Sequence, residues 1–295
     1  MMKPQKKAYL FAFAAIACWS TIGSAFKISL RYLEPMELLV ISSLVACLVL
    51  FMILVVQGKV GLLRNLTFKE VLWSAFLGFI NPFLYYAVLL KAYDLLQAQE
   101  AGTLNYIWPL VLVLLSIPML KQKISFVSIA AIAISFVGIM VISIHPVRVG
   151  DPDGAGHPVG VLLAVGSAVL WALYWIFNVR DQREAVSKLF LNFCFGFLYS
   201  LIAVVFSTSL HFPGWQGVAA GCYVGLFEMG ITFVLWLYAL KYSSTTAKVS
   251  NLIYLSPFIS LILIHFTLGE AIMPSTVIGL LLIVTGIIVQ QYLKR

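Results

Sequence analysis

The sequence predicts an all-α integral membrane protein of ten transmembrane helices, arranged as two inverted five-helix repeats with both termini in the cytoplasm. Three observations predict it: the composition, the apolar runs, and a similarity between the two halves of the chain. Hydrophobic residues make up 62% of the 295 residues and charged residues 10%, whereas soluble domains average about 45–50% and about 25%. So few charged side chains do not cover a water-exposed surface, and a soluble globular protein is therefore excluded.

Ten apolar runs separated by polar segments are each long enough to cross a bilayer as a helix of roughly 20 residues. They are residues 8–27, 35–56, 70–91, 96–119, 124–144, 159–179, 187–208, 216–240, 245–267 and 273–292. The runs are continuous, whereas a β-barrel shows short alternating segments. The first run follows three lysines and has no small-x-small cleavage site, so we interpret it as a spanning helix and not as a cleaved signal.

Lysine and arginine are distributed unevenly between the two sides that ten spans define. Of the nineteen in the chain, Lys27, Arg31, Lys91 and Arg148 lie on one side, and all the others lie on the side of the termini. Cytoplasmic loops carry an excess of these residues, so both termini are predicted to be cytoplasmic. The net charge of +8 then follows from topology and attraction to anionic lipid, and no nucleic-acid partner is predicted.

Cysteines and known motifs give no sign of a cofactor, a metal site or a disulfide framework. All four cysteines lie inside apolar runs, and no CxxC spacing occurs. They are typical of small buried hydrophobic residues. The sequence also lacks a Walker A motif and an HExxH motif, so neither a built-in ATPase nor a zinc protease is predicted.

A polar linker, His145–Gly160, divides the chain into two predicted five-helix repeats, residues 1–149 and 150–295. The halves resemble each other when they are aligned on Pro109 and Pro257, and Trp19 and Trp171 also occupy corresponding places. Five spans is an odd number, so the second half is inverted relative to the first. Inverted repeats with a site between them are an architecture of secondary transporters.

The fourth span carries the largest group of polar side chains at membrane depth. Asn105 and Trp108 share one stripe of a helix, and Tyr106 lies on an adjacent stripe. Polar groups in a bilayer are costly and usually face a cavity or each other. We therefore expect this cluster to line a substrate cavity. The alternative is that Asn105 bonds a neighbouring helix and the aromatic rings only pack.

Other spans supply further candidate wall residues. Trp171 and Trp175 lie one turn apart near mid-span, where an interfacial aromatic belt explains them poorly. Together with Tyr86, Asn251 and Tyr254 they complete the predicted substrate-binding set. Aromatic walls suit flat or amphipathic ligands, and they also hold an ammonium group by cation–π contact.

Two carboxylates and three prolines have candidate roles in coupling and movement. Glu228, near the middle of the eighth span, and Glu100, at the start of the fourth, are candidate charge or proton partners. The alternative for Glu228 is a paired or protonated structural side chain. Pro109, Pro257 and Pro82 interrupt apolar spans and are candidate hinges, with a simple packing kink as the alternative.

Several of these segments resemble the drug/metabolite transporter superfamily, of the EamA type. The resemblance rests on "LWALYWIF", "YALKYSSTTAKVSNLIYLSP" and "LGEAIMPSTVIGLLLIVTGIIV". The segments "CWST" at Cys18 and "QAQEAGTLNYIWP" at Gln97 resemble the bacterial aromatic amino acid exporters. In the first half, Lys121-Gln122 stands where Gly269-Glu270 stands, so any role of Glu270 is asymmetric. The resemblance implies ATP-independent export across the bacterial inner membrane by two alternating, inverted bundles.

Three functional hypotheses follow. The first is a secondary transporter that exports aromatic and other amphipathic amino acids through a central site between the repeats, with protons as candidate coupling ions. The second keeps the architecture with another cargo: a nucleoside, a sugar phosphate or a cationic drug. A phosphate cargo favours several intramembrane Arg or Lys residues, which the sequence lacks. The third, a membrane-embedded lipid enzyme, needs clustered catalytic side chains, whereas the acidic residues are scattered. The predicted partners are therefore an amino acid and the lipid bilayer, and no enzymatic activity is predicted.

Overall fold

All regular structure in the described part of the chain is helical. The structure is a computed structural model that describes residues 4–108, 111–112, 114–115, 119, 126–143, 157–207, 214–243 and 251–292. Its α-helices are α1 (Pro4–Ser29), α2 (Pro35–Val56), α3 (Phe68–Gly78), α4 (Tyr85–Leu95), α5 (Ala98–Asn105), α6 (Phe126–Ser143), α7 (Pro158–Arg180), α8 (Ala185–Ser207), α9 (Gly214–Val224), α10 (Ile231–Tyr242), α11 (Leu255–Leu268) and α12 (Pro274–Tyr292).

Two π-helical segments and two 3-10 helices are also present in the described ranges, and residues 108, 111–112, 114–115 and 119 are helical too. The first π segment, Phe79–Leu84, joins α3 to α4, and the second π segment, Gly225–Gly230, joins α9 to α10. The 3-10 helices are Val60–Leu63 and Asn251–Tyr254. Each π segment therefore lies inside one long helical stretch, which matches the third and the eighth predicted spans.

Six helical stretches in the described ranges are long and apolar enough to cross a membrane. They are Pro4–Ser29, Pro35–Val56, Phe68–Leu95, Pro158–Asn178, Ala185–Phe206 and Gly214–Ala239. Three shorter apolar helices are Ala133–Ile142, Leu255–Leu268 and Pro274–Val289. The all-helical class is thereby confirmed for the described residues, and the length and composition of these stretches agree with a membrane protein. The number of ten spans and the cytoplasmic termini stay predictions.

Local sequence signals explain where several helices begin and end. Pro35 opens α2, and a reciprocal capping box joins Glu34 and Glu37. Such a box satisfies amide groups that the first helical turn leaves without partners. Gly269 follows α11 with a φ of +72°, a left-handed conformation that favours glycine after a helix.

The described helices fall into two compact units, and each unit draws on both halves of the chain. Unit 1 comprises Met1–Ala87 and Asp181–Leu263, and unit 2 comprises Val88–Arg180 and Ile264–Arg295. Side chains that are distant in sequence therefore meet within one unit. The repeat boundaries at 1–149 and 150–295 stay a prediction.

In unit 1, α2 packs against α8. The helix α2 also packs against the stretch that matches the eighth predicted span, and α8 packs against the stretch that matches the third. Glycines allow the closest of these contacts. A Cβ on Gly225 would lie 2.6 Å from the carbonyl oxygen of Ser42, and a Cβ on Gly78 would overlap the carbonyl of Asn192. Small residues let helix backbones approach closely in membranes, so the shapes of these two contacts are fixed by the glycines.

In unit 2, the most extensive contact joins α6 and α12. Gly138 and Gly279 face each other there, and a Cβ on either would lie 2.7 Å from the carbonyl oxygen of the other. The helix α5 packs against α7 in the same unit. This second contact brings together several of the candidate substrate-binding residues.

Candidate functional site

A polar crossing joins α5 and α7 in unit 2. The Asn105 side-chain amide donates a hydrogen bond of 2.8 Å to Ser167 Oγ, and the Ser167 hydroxyl donates one of 2.7 Å to the Ala164 carbonyl. Ser167 is fully buried, whereas Asn105 is half-buried. The amide of Asn105 is therefore oriented by a buried hydroxyl from the other half of the chain.

An aromatic row continues from this crossing. The ring of Trp108 lies 6.5 Å from that of Trp171 at an interplanar angle of 70°, and the rings of Trp171 and Trp175 lie 6.0 Å apart at 71°. Tyr174 continues the row, with its ring 6.1 Å from that of Trp175. Edge-to-face geometry at these separations is favourable for aromatic pairs. The sequence-predicted residues Asn105, Trp108, Trp171 and Trp175 are thus brought together, and we call Asn105, Trp108, Ser167, Trp171 and Trp175 the amide–indole cluster.

The backbone of the fourth span is interrupted where this cluster lies. The helix α5 ends at Asn105, and Tyr106 and Ile107 form a turn. Pro109 lies outside the described residues, but its identity explains the interruption. A proline has no amide hydrogen to donate to the carbonyl four residues earlier, which is that of Asn105, and its ring crowds that carbonyl.

A second buried polar group lies in unit 1. The Tyr86 hydroxyl donates a hydrogen bond of 2.9 Å to Glu228 Oε1, and Glu228 Oε2 has no hydrogen-bond partner among the described residues. Tyr86 is fully buried, and Glu228 is 6% exposed. Burial of a carboxylate is costly unless it is paired or protonated. The predicted residues Tyr86 and Glu228 are therefore brought together in a group that can hold a cation or a proton.

The backbone is also broken in the first π segment, which contains Pro82. Asn81 has φ −149° and ψ 122°, an extended conformation inside an otherwise helical stretch. The residue before a proline is displaced from helical angles by the proline ring, and the Asn81–Pro82 peptide bond is cis. Asn81 is fully buried. The interruption expected at Pro82 is therefore present, while its action as a hinge stays a prediction.

The remaining predicted residues are placed as follows. Glu100 is buried in the first turn of α5, Tyr106 is half-buried in the turn after α5, and Pro257 is buried in the first turn of α11. Asn251 and Tyr254 lie in a 3-10 helix that contacts α1, and their side chains lie outside what the structure describes.

Sequence reasoning did not predict the polar contacts that Ser167, Glu270 and Gln99 make at the two ends of α5. Ser167 orients Asn105, and Glu270 and Gln99 join the start of α5 to the loop between α11 and α12. The "LGE" motif did single out Glu270, but a pattern within one half does not reveal that the partner lies in the other half.

Comparison with protein families gives one match along most of the chain. Residues 6–144 and 158–290 each match the profile of the EamA-like transporter family. The first matched range ends directly before the polar linker His145–Gly160, and the second begins within the last three residues of that linker.

Several known proteins are similar to this chain along most of their length. An uncharacterised transporter of Clostridium kluyveri is 25% identical, with 96% of this chain and 93% of that protein covered. The aromatic amino acid exporter YddG of Ancylobacter novellus is 27% identical, with 99% of each chain covered. A protein of known crystal structure has a TM-score of 0.68 at 22% identity and covers 98% of this chain, which is a similarity of fold.

Proposed function

Because the chain belongs to the EamA-like transporter family, we propose that it exports amino acids, aromatic and other amphipathic ones, from the cytoplasm. The substrate is bound at a central site between the two repeats, and export proceeds by exchange between inward-open and outward-open states. The protein acts in the bacterial inner membrane, with both termini in the cytoplasm.

The observation that carries this proposal is the amide–indole cluster. It joins α5, from the first half of the chain, to α7, from the second half, as a site between repeats requires. The amide of Asn105 can hydrogen-bond the carboxylate or the ammonium group of an amino acid. The indoles of Trp108, Trp171 and Trp175 offer apolar surface to an aromatic side chain and cation–π contact to an ammonium.

Similarity to the aromatic amino acid exporter of Ancylobacter novellus supports the choice of cargo. The chemistry of the cluster supports it too, because its five members carry no positive charge. A phosphorylated cargo is recognised by arginine or lysine side chains. The cluster therefore suits an amphipathic zwitterion better than a sugar phosphate.

The test is a counterflow measurement in liposomes that contain only the purified protein. Vesicles loaded with unlabelled tryptophan, phenylalanine, leucine, a nucleoside or a cationic dye are diluted into trace label of the same compound. We expect accumulation of aromatic amino acids, weaker accumulation of leucine, and none of the nucleoside. A protein that moves the nucleoside or the dye and no amino acid would contradict the proposed cargo.

We further propose that Glu228 carries the coupling proton. The carboxylate is buried, its partner Tyr86 contributes a neutral hydroxyl, and one carboxylate oxygen remains available. The second π segment packs against α1, α2, α9 and α10. Other titratable side chains on those four helices are Lys6, Lys7, Tyr9, Cys18, Lys27, Glu37, Cys47, Cys222, Tyr223, Tyr238, Lys241 and Tyr242, and none of them is bonded to Glu228 in the described structure.

A pH gradient tests this coupling. We expect an inward-directed proton gradient to drive export in the wild type, and Glu228→Gln to exchange substrate without responding to the gradient. Tyr86→Phe, which keeps the ring and removes the hydroxyl, serves as the matched variant and should retain the response. Wild-type flux that ignores the gradient would remove Glu228 from the mechanism and leave the choice of cargo intact.

A further inference from the structure

The start of α5 is capped by a carboxylate from a distant part of the chain. The backbone amides of Ala98 and Gln99 donate hydrogen bonds of 2.9 and 3.2 Å to the two carboxylate oxygens of Glu270. Gln97, the residue before α5, makes no side-chain capping bond. The first amides of a helix have no partner within the helix, and negative charge is favourable there. Glu270 therefore supplies a cap that the local sequence lacks.

Gln99 returns two further hydrogen bonds to the loop that carries Glu270. Its amide nitrogen donates to the Ala271 carbonyl at 2.8 Å, and its amide oxygen accepts from the Met273 backbone at 3.2 Å. Gln99 is 2% exposed, and both bonds are partly buried. The four hydrogen bonds of Glu270 and Gln99 form one connection, which we call the clasp.

The loop on the other side of the clasp is itself held in place. The Gly269 amide donates to the His265 carbonyl at 3.0 Å, and His265 Nδ1 lies 2.8 Å from the Glu270 carbonyl oxygen. Since a carbonyl only accepts, the ring nitrogen is the donor in this contact. The clasp therefore ties the start of α5 to a loop that is already anchored to the end of α11.

Asn105, at the opposite end of α5, is a member of the amide–indole cluster. The helix has eight residues, so its two ends are separated by about 10 Å at 1.5 Å per residue. A helix this short moves as one body, and a turn at Tyr106 and Ile107 separates it from the helical residues that begin again at Trp108. The contacts at the start of α5 therefore contribute, together with Ser167, to where the Asn105 amide lies.

We propose that Glu270 and Gln99 are positioning residues for the substrate site, which hold α5 so that Asn105 meets Ser167. The proposal rests on the proposed function because it takes the amide–indole cluster to be the substrate site. Neither residue touches the substrate. Loss of the clasp lets the start of α5 move and displaces Asn105. Substrate binding is then weakened more than the rate of the transport cycle.

The first test needs no substrate. In a variant without the four native cysteines, the pair N105C and S167C is oxidised with copper phenanthroline, and the rate of cross-linking is measured. We expect Glu270→Gln to slow the reaction by about tenfold, the size of effect seen when outer-shell partners are lost. Glu270→Asp, which keeps the carboxylate, should give an intermediate rate and shows that the fold is retained.

Glu37→Gln is the matched control. Glu37 Oε2 accepts a hydrogen bond of 3.0 Å from the Glu34 amide at the start of α2 in unit 1, so the same chemistry is removed from another helix. The cross-linking rate should be unchanged in Glu37→Gln. Equal rates in the parent, in Glu270→Gln and in Gln99→Ala would overturn the positioning role.

The second test separates binding from turnover. In liposomes with the native cysteines, Glu270→Gln and Gln99→Ala should raise KM by about tenfold or more, while Vmax changes less than twofold. A normal KM in both variants, or a loss confined to Vmax, contradicts the proposal. If the wild type transports no amino acid, the proposed function fails and the cross-linking rates alone decide whether the clasp positions α5.

Discussion

Two helix crossings that the predicted repeat makes equivalent differ in the side chains at their centres. In unit 1, α1 crosses α11 where Ser20 Oγ and Ser256 Oγ lie 3.2 Å apart, and both serines are buried. In unit 2, α5 crosses α7 through Asn105 and Ser167, with two indoles beside them. In the repeat alignment Ser256 corresponds to Trp108, so one position carries a small hydroxyl in one crossing and a large aromatic ring in the other.

The difference indicates how the two predicted repeats use one crossing for close packing and, under the proposed function, the other for a ligand. A serine pair lets two helices approach closely and satisfies both hydroxyl groups. At the α5–α7 crossing, Asn105, Trp108 and Trp175 leave polar and aromatic surface half-buried. We therefore assign selectivity to the α5–α7 crossing and structural support to the α1–α11 crossing, and the predictions below test that division.

The largest expected effect is that of Trp108→Ala. Removing a central aromatic anchor from a binding site typically costs about 2 kcal/mol or more, which is about a 30-fold rise in KM. Trp215→Ala is the control, because Trp215 is 72% exposed. Counterflow of labelled tryptophan measures both. Equal KM values in the two variants would contradict the assignment of selectivity to the α5–α7 crossing.

Ser256→Trp gives the α1–α11 crossing the type of side chain that Trp108 has at the corresponding position of the first half. Ser256 is 1% exposed, so the larger ring has no room, and overpacking of this kind costs about 1–3 kcal/mol. We expect a lower melting temperature in detergent. Ile262→Trp on the same helix is the control, because Ile262 is 53% exposed and should melt like the wild type. A wild-type melting temperature for Ser256→Trp would show that this crossing is not closed.

Asn105→Ala and Ser20→Ala compare the two crossings directly. A single hydrogen bond contributes about 0.5–1.5 kcal/mol, so we expect Asn105→Ala to raise the KM for amino acids by about three- to tenfold. Ser20→Ala should leave KM within about twofold and lower the melting temperature slightly. The reverse pattern, a transport defect only in Ser20→Ala, would exchange the roles of the two crossings.

The smallest effect concerns pH and the loop before α8 in unit 1. Burial raises the pKa of Asp181, but hydrogen bonds from Arg183 outweigh it, and the net pKa is lowered. Burial also raises the pKa of Glu184, but hydrogen bonds from Lys59 and from the Ser187 amide lower it, and the net pKa is lowered. A carboxyl group whose pKa is lower in the folded protein stabilises it at neutral pH, and this contribution disappears as the pH falls through that pKa.

We therefore expect unit 1 to lose a small part of its stability as the pH falls below about 4, the usual range of these carboxyl groups. The Lys59–Glu184 ion pair is partly exposed, and such pairs contribute only about 0–1 kcal/mol, so its share of the shift in melting temperature is small. The double variant D181N/E184Q should already melt lower at neutral pH, with a flatter pH profile. A profile parallel to that of the wild type would show that these groups contribute nothing.

The sequence predicted the helical membrane class because composition and run length report directly on the bilayer. It also placed Asn105, Trp108, Trp171 and Trp175, which the structure brings together, in one group with Tyr86, Tyr106, Asn251 and Tyr254, since helical spacing and the repeat are visible in a linear pattern. It did not predict the clasp of Glu270 and Gln99, because that contact joins positions more than 170 residues apart. Nor does the spacing of residues reveal the second π segment, because no proline in Gly225–Gly230 marks it.

The contact between Gly138 and Gly279 has a consequence for how loss-of-function data on this protein should be interpreted. Any side chain at either position would collide with the opposite backbone, so a library of random substitutions will show both sites as intolerant, whichever compound is offered to the cells. A map of the cargo route drawn from such a library would wrongly include this seam. That error is removed when variants are selected with two different cargoes and only those positions are kept whose tolerance of substitution differs between the two selections.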